Sequence, residues 1–267
     1  MRGNLSSLLE KKPFIIGPFM KSHDPALVEI AGLAGFDFVI LDMEHGPVSY
    51  ETLQHLVRAA EARQIIPVVR TADNQESCIS KALDLGASGI QVPQITTCDE
   101  AEKIVAASKF FPQGSRGVCR FVRAAEYSAQ DKFEYFSESN KSTSLIIHLE
   151  GKQALENFDS IVKVKGIDVF FLGPYDLSQS IGRPGEVDHP EVEELMEDIV
   201  RKAGETGKFV GTFVESPEGA KKWIKLGVKY ISYSVDVGIY YNACRKIVRD
   251  LKHQGGNEPL YPDELRK

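Results

Sequence analysis

Short apolar runs alternate along the chain with longer segments of amphipathic character. The short runs are rich in β-branched and aromatic residues, as buried strands are, and they lie at 14–19, 36–42, 66–70, 89–93, 144–150, 167–173, 208–213 and 230–235. Apolar residues recur with helical period in the intervening segments, which lie near 24–34, 50–63, 75–85, 98–108, 153–164, 190–206, 217–226 and 236–252. The pattern therefore predicts eight strand–helix pairs.

Capping signals support these boundaries. Ser49, Asp73 and Thr97 stand near predicted helix starts, where their side chains can accept a hydrogen bond from a free backbone amide. Glycines that suit a left-handed cap stand just past predicted helix ends, at Gly35, Gly86, Gly166, Gly207 and Gly227.

Eight strand–helix pairs in 267 residues predict an α/β fold, a single-domain TIM (β/α)8 barrel over residues 1–267. The alternative is a doubly wound open sheet, but no G-x-G-x-x-G or Walker pattern follows the first strand, which favours the barrel. Residues 109–143 exceed a simple connection, so we expect a functional or flexible excursion there. Residues 253–267 are predicted to form a loosely held tail or a subunit contact.

Composition narrows the function. A formal charge of −6 and a pI near 5.6 argue against a dedicated binder of nucleic acid or of anionic membranes. No apolar run approaches the roughly 20 residues of a membrane span, and the N-terminus lacks the apolar core of a signal peptide, so we expect a cytoplasmic protein. The four cysteines lack paired spacing, which favours free thiols over disulfides or a zinc site.

Ionisable side chains collect at the predicted strand ends, where TIM barrels carry their active sites. The stretch "ILDMEHGPVS" (40–49) shows this most clearly, because an apolar strand ends in three ionisable residues that are costly to bury without partners. The strand-end residues are Asp42, Glu44, His45, Arg70, Pro93, Gln94, His148, Glu150, Gly173, Pro174, Tyr175, Asp176, Thr212, Ser234 and Asp236. The sequence thus predicts a polar site at one mouth of the barrel.

Glu150 and Asp176 follow neighbouring predicted strands, so their carboxylates can lie close together. Two carboxylates with waters suit Mg²⁺ or Mn²⁺, and without a cation the pair would repel. The alternative for each residue alone is a structural role, with Glu150 at the start of a helix and Asp176 as a helix cap. As a pair beside Arg70 and His45, they favour a metal site.

Arg70 ends the strand "PVVR", where its planar fork can hold a carboxylate or an enolate oxygen. The alternative is a salt bridge to a neighbouring acid. His45 lies three residues past Asp42, close enough for that carboxylate to fix the tautomer of its imidazole. The alternative for His45 is a loop histidine without a role.

The motifs "FDFVILDMEHGPVSYETL", "PVVR", "ALDLGASGIQVPQI", "FPQGSRGV" and "GIDVFFLGPYDLSQSIG" resemble, in order, those of the HpcH/HpaI aldolase family. The resemblance covers roughly residues 13 to 250. It implies a TIM barrel and a metal-dependent class II pyruvate aldolase, such as 4-hydroxy-2-oxoheptanedioate or 2-dehydro-3-deoxyglucarate aldolase. Such an enzyme reversibly cleaves a 4-hydroxy-2-oxo acid into pyruvate and an aldehyde through an enolate that the metal stabilises.

The resemblance also implies residue roles. Glu150 and Asp176 correspond to the metal ligands, for Mg²⁺ or Mn²⁺ with Co²⁺ as a further candidate, and Arg70 to the arginine that holds the enolate. His45, with the acid matching Asp42, corresponds to the group that moves the proton.

The family further implies an oligomer. Asp84 matches an acid that members contribute to a neighbouring subunit's site, and 236–252 matches a last helix that subunits exchange. Members are often trimers of dimers, which implies a homohexamer here.

Three positions depart from the family pattern. His148 replaces a glutamine two residues before Glu150 and should face the same inward side. Tyr175 replaces a small residue in the "GPYDLS" motif, and Cys119 replaces a glycine. We expect Arg70, His148, Gly173, Pro174 and Tyr175 to bind substrate, with acceptor specificity altered by the departures.

Three other functions are considered. A class I aldolase needs a Schiff-base lysine, and none of the strand-end residues named above is a lysine. A lyase of the citrate lyase beta or malyl-CoA type would share the metal but act on a CoA thioester. The third is a catalytically silent small-molecule-binding barrel, which the intact set of ionisable residues disfavours.

Overall fold

The structure is a computed structural model that describes residues 4–252. Eight parallel strands close into a barrel in chain order, so the predicted TIM barrel is confirmed. The strands are β1 Ile15–Met20, β2 Phe38–Asp42, β3 Ile66–Arg70, β4 Gly89–Val92, β5 Ser144–Leu149, β6 Val169–Leu172, β7 Phe209–Val214 and β8 Tyr230–Val235.

The first helix precedes β1, and the other helices follow strands on the outside. They are α1 Leu5–Lys11, α2 Pro25–Leu33, α3 Tyr50–Ala62, α4 Glu76–Asp84, α5 Cys98–Ser108, α6 Lys132–Ser142, α7 Lys152–Glu156, α8 Phe158–Ile161, α9 Pro174–Ser180, α10 Pro190–Glu205, α11 Pro217–Lys225 and α12 Asp236–Lys252. A short 3₁₀ helix spans Arg123–Ser128. In the described residues no helix is long and apolar enough to cross a membrane.

The strands read as continuous apolar runs because both of their faces are covered. One set of side chains fills the barrel interior, with Phe38, Ile40 and Phe171 among them. The alternate set packs outward against the helices, as Val39 and Leu41 do. This alternation decides which strand residues face the mouth.

Helix α1 belongs to the interior core. Asn4 caps it by accepting a hydrogen bond from the amide of Ser7 at 2.9 Å. Leu5 and Leu9 are fully buried and join the cluster that fills the barrel. Since α1 directly precedes β1, it closes the end of the barrel opposite the strands' C-termini, and the sequence pattern did not predict it.

The predicted excursion carries its own small core. Phe110, Ala124, Ala125 and Tyr135 are buried together, beneath the 3₁₀ helix and α6. The excursion therefore contains packed helical structure.

Most predicted caps are confirmed. Ser49 and Thr97 accept hydrogen bonds from the amides of Thr52 and Glu100, both at 3.2 Å, whereas Asp73 binds an amide just outside α4. All five predicted capping glycines have positive φ. The predicted helix at 153–164 is instead two short helices, and α9 was not predicted. The expected tail at 253–267 lies outside the described residues.

Candidate active site

A buried ion pair joins the ends of β2 and β3. The two strands pair with Asp42 opposite Arg70, so both side chains leave the sheet at one level. Arg70 donates from Nε and Nη2 to the two carboxylate oxygens of Asp42, at 2.8 and 2.7 Å. Burial alone would raise the pKa of Asp42, but the hydrogen bonds and charge of Arg70 outweigh it and lower the pKa. Asp42 is thus held as a carboxylate.

Glu44 makes the third contact of the same guanidinium. Its Oε2 lies 2.9 Å from Nη1 of Arg70, and the guanidinium carbon sits 4.6 Å from the ring centre of Phe19. Burial, and then the charge of Glu150, raise the pKa of Glu44 although Arg70 opposes the shift. The contact between Glu44 and Arg70 is an ion pair without hydrogen-bond geometry, because Oε2 of Glu44 has no hydrogen-bond partner among the described residues. A guanidinium has five N–H donors, so three are left after the two that bind Asp42.

His45 stands at the rim. Its side chain is 58% exposed, and its Nε2 lies 3.9 Å from Oε2 of Glu44. The predicted contact between Asp42 and the His45 imidazole is wrong, since Asp42 contacts the backbone of His45 instead of its ring. Asp42 accepts a hydrogen bond from the backbone amide of His45 at 3.2 Å, on the same Oδ1 that binds Arg70 and the Glu44 amide. The carboxylate therefore fixes the loop that carries His45.

Glu150 follows β5 and is held by two donors. The backbone amide of Gln94 binds its Oε1 at 2.7 Å, and Nδ1 of His148 lies 2.8 Å from its Oε2. Gln94 has a left-handed backbone with φ of 59°, which non-glycine residues rarely adopt. Burial would raise the pKa of Glu150, but His148 and the Gln94 amide lower it. Glu150 therefore presents a fixed, ionised carboxylate.

Gly173 separates Glu150 from Asp176. A Cβ at Gly173 would lie 3.4 Å from Oε2 of Glu150 and 3.6 Å from Oδ2 of Asp176, so both oxygens face one point beside the glycine backbone. Asp176 lies in the first turn of α9 without capping it. Partial burial, and then the charge of Glu150, raise the pKa of Asp176. Two carboxylates that face one point and repel each other suit a divalent cation.

The described residues contain no group of three or more His, Cys, Asp and Glu side chains that could hold a metal ion. A two-carboxylate site is still compatible with Mg²⁺, which usually keeps several waters and accepts substrate oxygens. The donor set is all oxygen, as a hard cation requires. Glu150 and Asp176 therefore fit such an ion.

A cavity of about 270 Å³ opens above these groups. Its outer wall includes Lys21, Phe213 and Glu215, none of which was predicted. Tyr175 also lines it, and its hydroxyl donates to Oε2 of Glu215 at 2.5 Å. This hydrogen bond, together with burial, raises the pKa of Tyr175 to about 12, so the hydroxyl keeps its proton.

Most sequence-predicted residues meet at this mouth. His45, Arg70, His148, Gly173, Pro174, Tyr175 and Asp176 all line the cavity. Asp84 does not join them, because α4 runs back along the barrel and its last residue lies at the far end. There it accepts a hydrogen bond from Nη2 of Arg116 at 2.6 Å. Cys119 is exposed in the excursion.

The residues that were missed are themselves strand-end residues. Lys21 directly follows β1 and Glu215 directly follows β7, and each lies two positions past the predicted end of its strand. Lys21 is also a lysine at a strand end, a position where no lysine was predicted. Gln91 lies within β4 and carried no strand-end signal.

Comparisons with known proteins show which family the chain resembles. The sequence profile of the family described as HpcH/HpaI aldolase/citrate lyase matches residues 16–243. The chain is 34% identical over 245 residues, 91% of its length and 90% of the relative's, to the hydroxypyruvate/pyruvate aldolase of Cupriavidus necator. It is also 34% identical over 252 residues, 94% of its length and 93% of the relative's, to the 2-keto-3-deoxy-L-rhamnonate aldolase of Escherichia coli.

A solved structure of citrate synthase SbnG superimposes with a TM-score of 0.86 at 30% identity, covering 94% of this chain and 98% of that one. The family is generally dependent on a divalent metal. The profile match covers most of the chain, and relatives above 30% identity match nearly end to end. The protein therefore belongs to the HpcH/HpaI aldolase/citrate lyase family.

Proposed function

We propose that the protein is a divalent-metal-dependent aldolase that reversibly cleaves a 4-hydroxy-2-oxo acid into pyruvate and an aldehyde. The observation that carries the proposal is that a carboxylate oxygen of Glu150 and one of Asp176 lie within 3.6 Å of one point beside Gly173, at the mouth that also holds Arg70. The 34% identity to two aldolases that act on 2-oxo acids supports the same reaction class.

Glu150 and Asp176 would hold the cation, Mg²⁺ or Mn²⁺ with Co²⁺ as a further candidate. When bound, such an ion supplies a Lewis acid for the oxygens of a 2-oxo acid. Arg70 would direct N–H donors that do not bind Asp42 at the oxygen where negative charge develops. A preorganised donor of this kind is commonly the largest single contribution to catalysis.

His45 would move the proton, directly or through a water. In the cleavage direction, a base takes the proton of the C4 hydroxyl and the C3–C4 bond breaks. The electron pair of that bond moves into the three-carbon fragment as the enolate of pyruvate, while the C4 oxygen becomes the aldehyde carbonyl. Protonation at C3 of the enolate then gives pyruvate. The exposed rim position of His45 leaves its ring accessible to the cavity.

The acceptor aldehyde would face Tyr175 and Glu215. Their hydrogen bond places a carboxylate and a phenol at the outer wall, beside Phe213. Polar groups there can meet hydroxyl groups of the aldehyde. We therefore infer a preference for short, hydroxylated aldehydes.

We also infer an oligomer in which α12 covers a neighbouring barrel. Apart from Asp236, the helix has no buried residue, yet it carries exposed apolar side chains at Val237, Ile239, Tyr240, Tyr241, Ile247, Val248 and Leu251. Such a face is typical of an interface. Asp84 lies too far from its own mouth to act there, so in a trimer of dimers it would serve a neighbouring subunit's site. The cytoplasmic location stays a prediction.

One alternative is a citrate-forming or CoA-thioester enzyme, and the likeness to a citrate synthase favours considering it. A second is a Schiff-base aldolase that uses Lys21. Lys21 is partly exposed and its charge favours ionised Asp42, whereas a nucleophilic lysine is usually desolvated or placed beside another cation.

One set of assays separates these functions. The purified protein is given 4-hydroxy-2-oxo acids before and after treatment with EDTA, and pyruvate release is measured. We expect EDTA to abolish turnover and Mg²⁺ or Mn²⁺ to restore it. Turnover that survives EDTA, with borohydride plus pyruvate trapping a covalent adduct on Lys21, would replace this proposal with the Schiff-base mechanism. Turnover only with oxaloacetate or a CoA thioester would favour the citrate-forming or CoA-thioester alternative.

Variants locate the cation. Glu150→Gln and Asp176→Asn keep the side-chain shape but remove the charge, so we expect both to fold and to lose Mn²⁺ binding. Lys152→Gln, a charge change in the exposed first residue of α7, is the control. Wild-type turnover by either carboxamide variant at low metal concentration would contradict the assignment.

A further inference from the structure

A chain of hydrogen bonds crosses the barrel interior beneath the candidate site. It begins at Tyr230 on β8 and reaches Gln91 on β4, four strands away in the eight-stranded closed order. The Tyr230 hydroxyl donates to Oε1 of Gln91 at 3.0 Å, and both residues are fully buried. Such a contact is unusual in a barrel interior, which is normally filled by apolar layers.

The chain continues from Gln91 to His148. The amide Nε2 of Gln91 lies 2.6 Å from Nε2 of the His148 ring. With its Oε1 accepting from Tyr230, the amide nitrogen faces the ring, and an amide nitrogen can only donate. The ring Nε2 must then accept, which leaves the ring proton on Nδ1. That nitrogen lies 2.8 Å from Oε2 of Glu150 and donates to it.

His148 is also fixed in its plane. Its ring stacks on Phe171 with centroids 4.6 Å apart and an angle of 23° between the planes. Both ring nitrogens are occupied, one by Gln91 and one by Glu150. His148 therefore has no donor left for a substrate in this arrangement, although its sequence position suggested a substrate-binding role.

We propose that Tyr230 and Gln91 are positioning residues that keep the proton of His148 on Nδ1 and so hold Glu150 in the orientation that binds the divalent cation. This inference rests on the proposed function, because it takes Glu150 to be a metal ligand. It adds two residues from the barrel interior to the site.

The groups at the two ends of this hydrogen-bond chain, Tyr230 and Glu150, fix which atoms donate. Burial raises the pKa of Tyr230 well above its usual value, so the phenol keeps the proton that it donates. At the other end, the Gln94 amide holds the second oxygen of Glu150. Each oxygen thus has one donor and one spare lone pair for a cation. Outer partners of this kind usually change metal affinity about 10–100-fold when they are removed.

The test is the affinity of the full-length protein for Mn²⁺, measured by electron paramagnetic resonance without substrate. Gln91→Leu removes the amide, so we expect Mn²⁺ binding about 10–100-fold weaker than wild type. Tyr230→Phe removes only the first donor and should weaken it by a smaller factor. Ser232→Ala is the matched control, since it deletes another buried hydroxyl of β8 that takes no part in the Tyr230–Gln91–His148 hydrogen bonds. We expect it to bind Mn²⁺ like wild type.

A second readout reports the proton itself. Ring ¹⁵N spectra of His148 in the metal-free protein should show the Nδ1–H tautomer in wild type and a mixture in Gln91→Leu. A role in core packing alone would leave the tautomer unchanged. If Gln91→Leu does not fold, Gln91→Met, which has a similar length and no amide, replaces it in both measurements.

The outcomes are distinct. Wild-type Mn²⁺ affinity with an unchanged tautomer in the Gln91 variant overturns this inference and leaves the aldolase proposal standing. If wild type binds no Mn²⁺ even at millimolar concentration, both this inference and the aldolase proposal are overturned. Weaker Mn²⁺ binding with a mixed tautomer, in a variant that unfolds at the wild-type temperature, supports the positioning role.

Discussion

At the residue scale, the guanidinium of Arg70 decides the layout of the mouth. Asp42 accepts hydrogen bonds from two of its donors, and Glu44 forms an ion pair with Nη1. This fork fits a planar guanidinium and cannot be reproduced by an ammonium, which is a compact point charge. The direction of the remaining donors is set by protein carboxylates before any substrate arrives.

We therefore expect Arg70→Lys to lose nearly as much activity as Arg70→Ala. Removing one donor to a developing oxyanion commonly lowers kcat by about 10²–10³-fold, and both variants remove the fork. Steady-state cleavage of a 4-hydroxy-2-oxo acid measures the loss, with Arg63→Lys, at an exposed surface ion pair, as the control. Full activity in Arg70→Lys would show that only a positive charge is needed.

The same ion pair predicts a pH dependence of stability. The pKa of Asp42 is lowered in the folded protein from its ordinary value of 3.8, so its stabilising contribution is complete above that value. The contribution disappears as the pH falls through the lower, folded pKa. We expect Asp42→Asn to lower the free energy of unfolding by about 2 kcal/mol at pH 7.

Urea unfolding of both proteins from pH 7 to pH 2.5 checks this expectation. The difference between wild type and Asp42→Asn should shrink below pH 3.8, because the protonated carboxyl then resembles the amide. A difference that stays constant across this range would mean that the charge of Asp42 contributes nothing to stability.

Tyr175 carries the prediction for specificity. Tyr175→Ala removes the ring from the cavity wall and frees Glu215 from its hydrogen bond. We expect kcat/KM to rise for longer aldehydes relative to short hydroxylated ones, measured in the synthesis direction with pyruvate. Tyr127→Ala, which removes an exposed tyrosine of the excursion, should leave the ratio unchanged. If the ratio for Tyr175→Ala does not move either, specificity comes from elsewhere.

At the element scale, close approach of two strands fixes the start of the barrel. A Cβ at Gly17 in β1 would lie 2.1 Å from the backbone oxygen of Phe38 in β2. No side-chain movement can relieve a clash with backbone. The pairing of β1 with β8 also shifts register between Gly17 and Phe19.

We expect Gly17→Ala to destabilise the fold by at least about 1–3 kcal/mol, the usual range for overpacking. Gly204→Ala is the matched control with the opposite sign. It lies inside α10 in open space, where alanine should stabilise the helix by about 0.5–1 kcal/mol. Chemical denaturation of both variants measures the difference, and a Gly17→Ala protein as stable as wild type would contradict the clash.

The elements also show how far sequence alone can reach. Strands and long helices were predicted because their periodicity is set by burial on known faces. Helix α1 was missed because seven residues carry too little periodic signal, and its two buried leucines gain their partners only once the barrel closes. The Tyr230–Gln91–His148 chain was missed for a similar reason, since its members lie 57 to 139 positions apart in sequence.

Some features of the candidate site were likewise predictable from the sequence and others were not. Arg70, Glu150 and Asp176 were found because a strand-end position is visible in the sequence. The partner of Asp42 was not predicted, because a carboxylate near both a histidine and an arginine can pair with either side chain. The in-register pairing of β2 with β3 decides for Arg70, and that register is a property of the folded sheet.

At the scale of the whole molecule, α12 is the element that the isolated chain explains least. It leaves Tyr240, Ile247 and Leu251 59–71% exposed, on a helix with only one buried residue. Exposed apolar area of this kind favours association. The chain's negative charge does not prevent it, since the face itself is apolar.

We expect Ile247→Glu combined with Leu251→Glu to reduce the molar mass of the assembly, measured by light scattering after size exclusion. Because Asp84 is proposed to serve a neighbouring subunit, turnover should fall with the mass while the barrel keeps its circular dichroism. Lys246→Glu changes the charge of the same helix at a polar position and is the control. A double variant with wild-type mass would place the interface elsewhere.

The outer wall of the cavity has a consequence for how this enzyme could be changed. Phe213 and Glu215 are supplied by β7 and the residues after it, a strand that contributes neither to the ion pair nor to the candidate cation site. Codons for this wall can therefore be randomised in a library while those for bond cleavage stay untouched. A search for catalysts that accept new aldehydes should begin at these two positions.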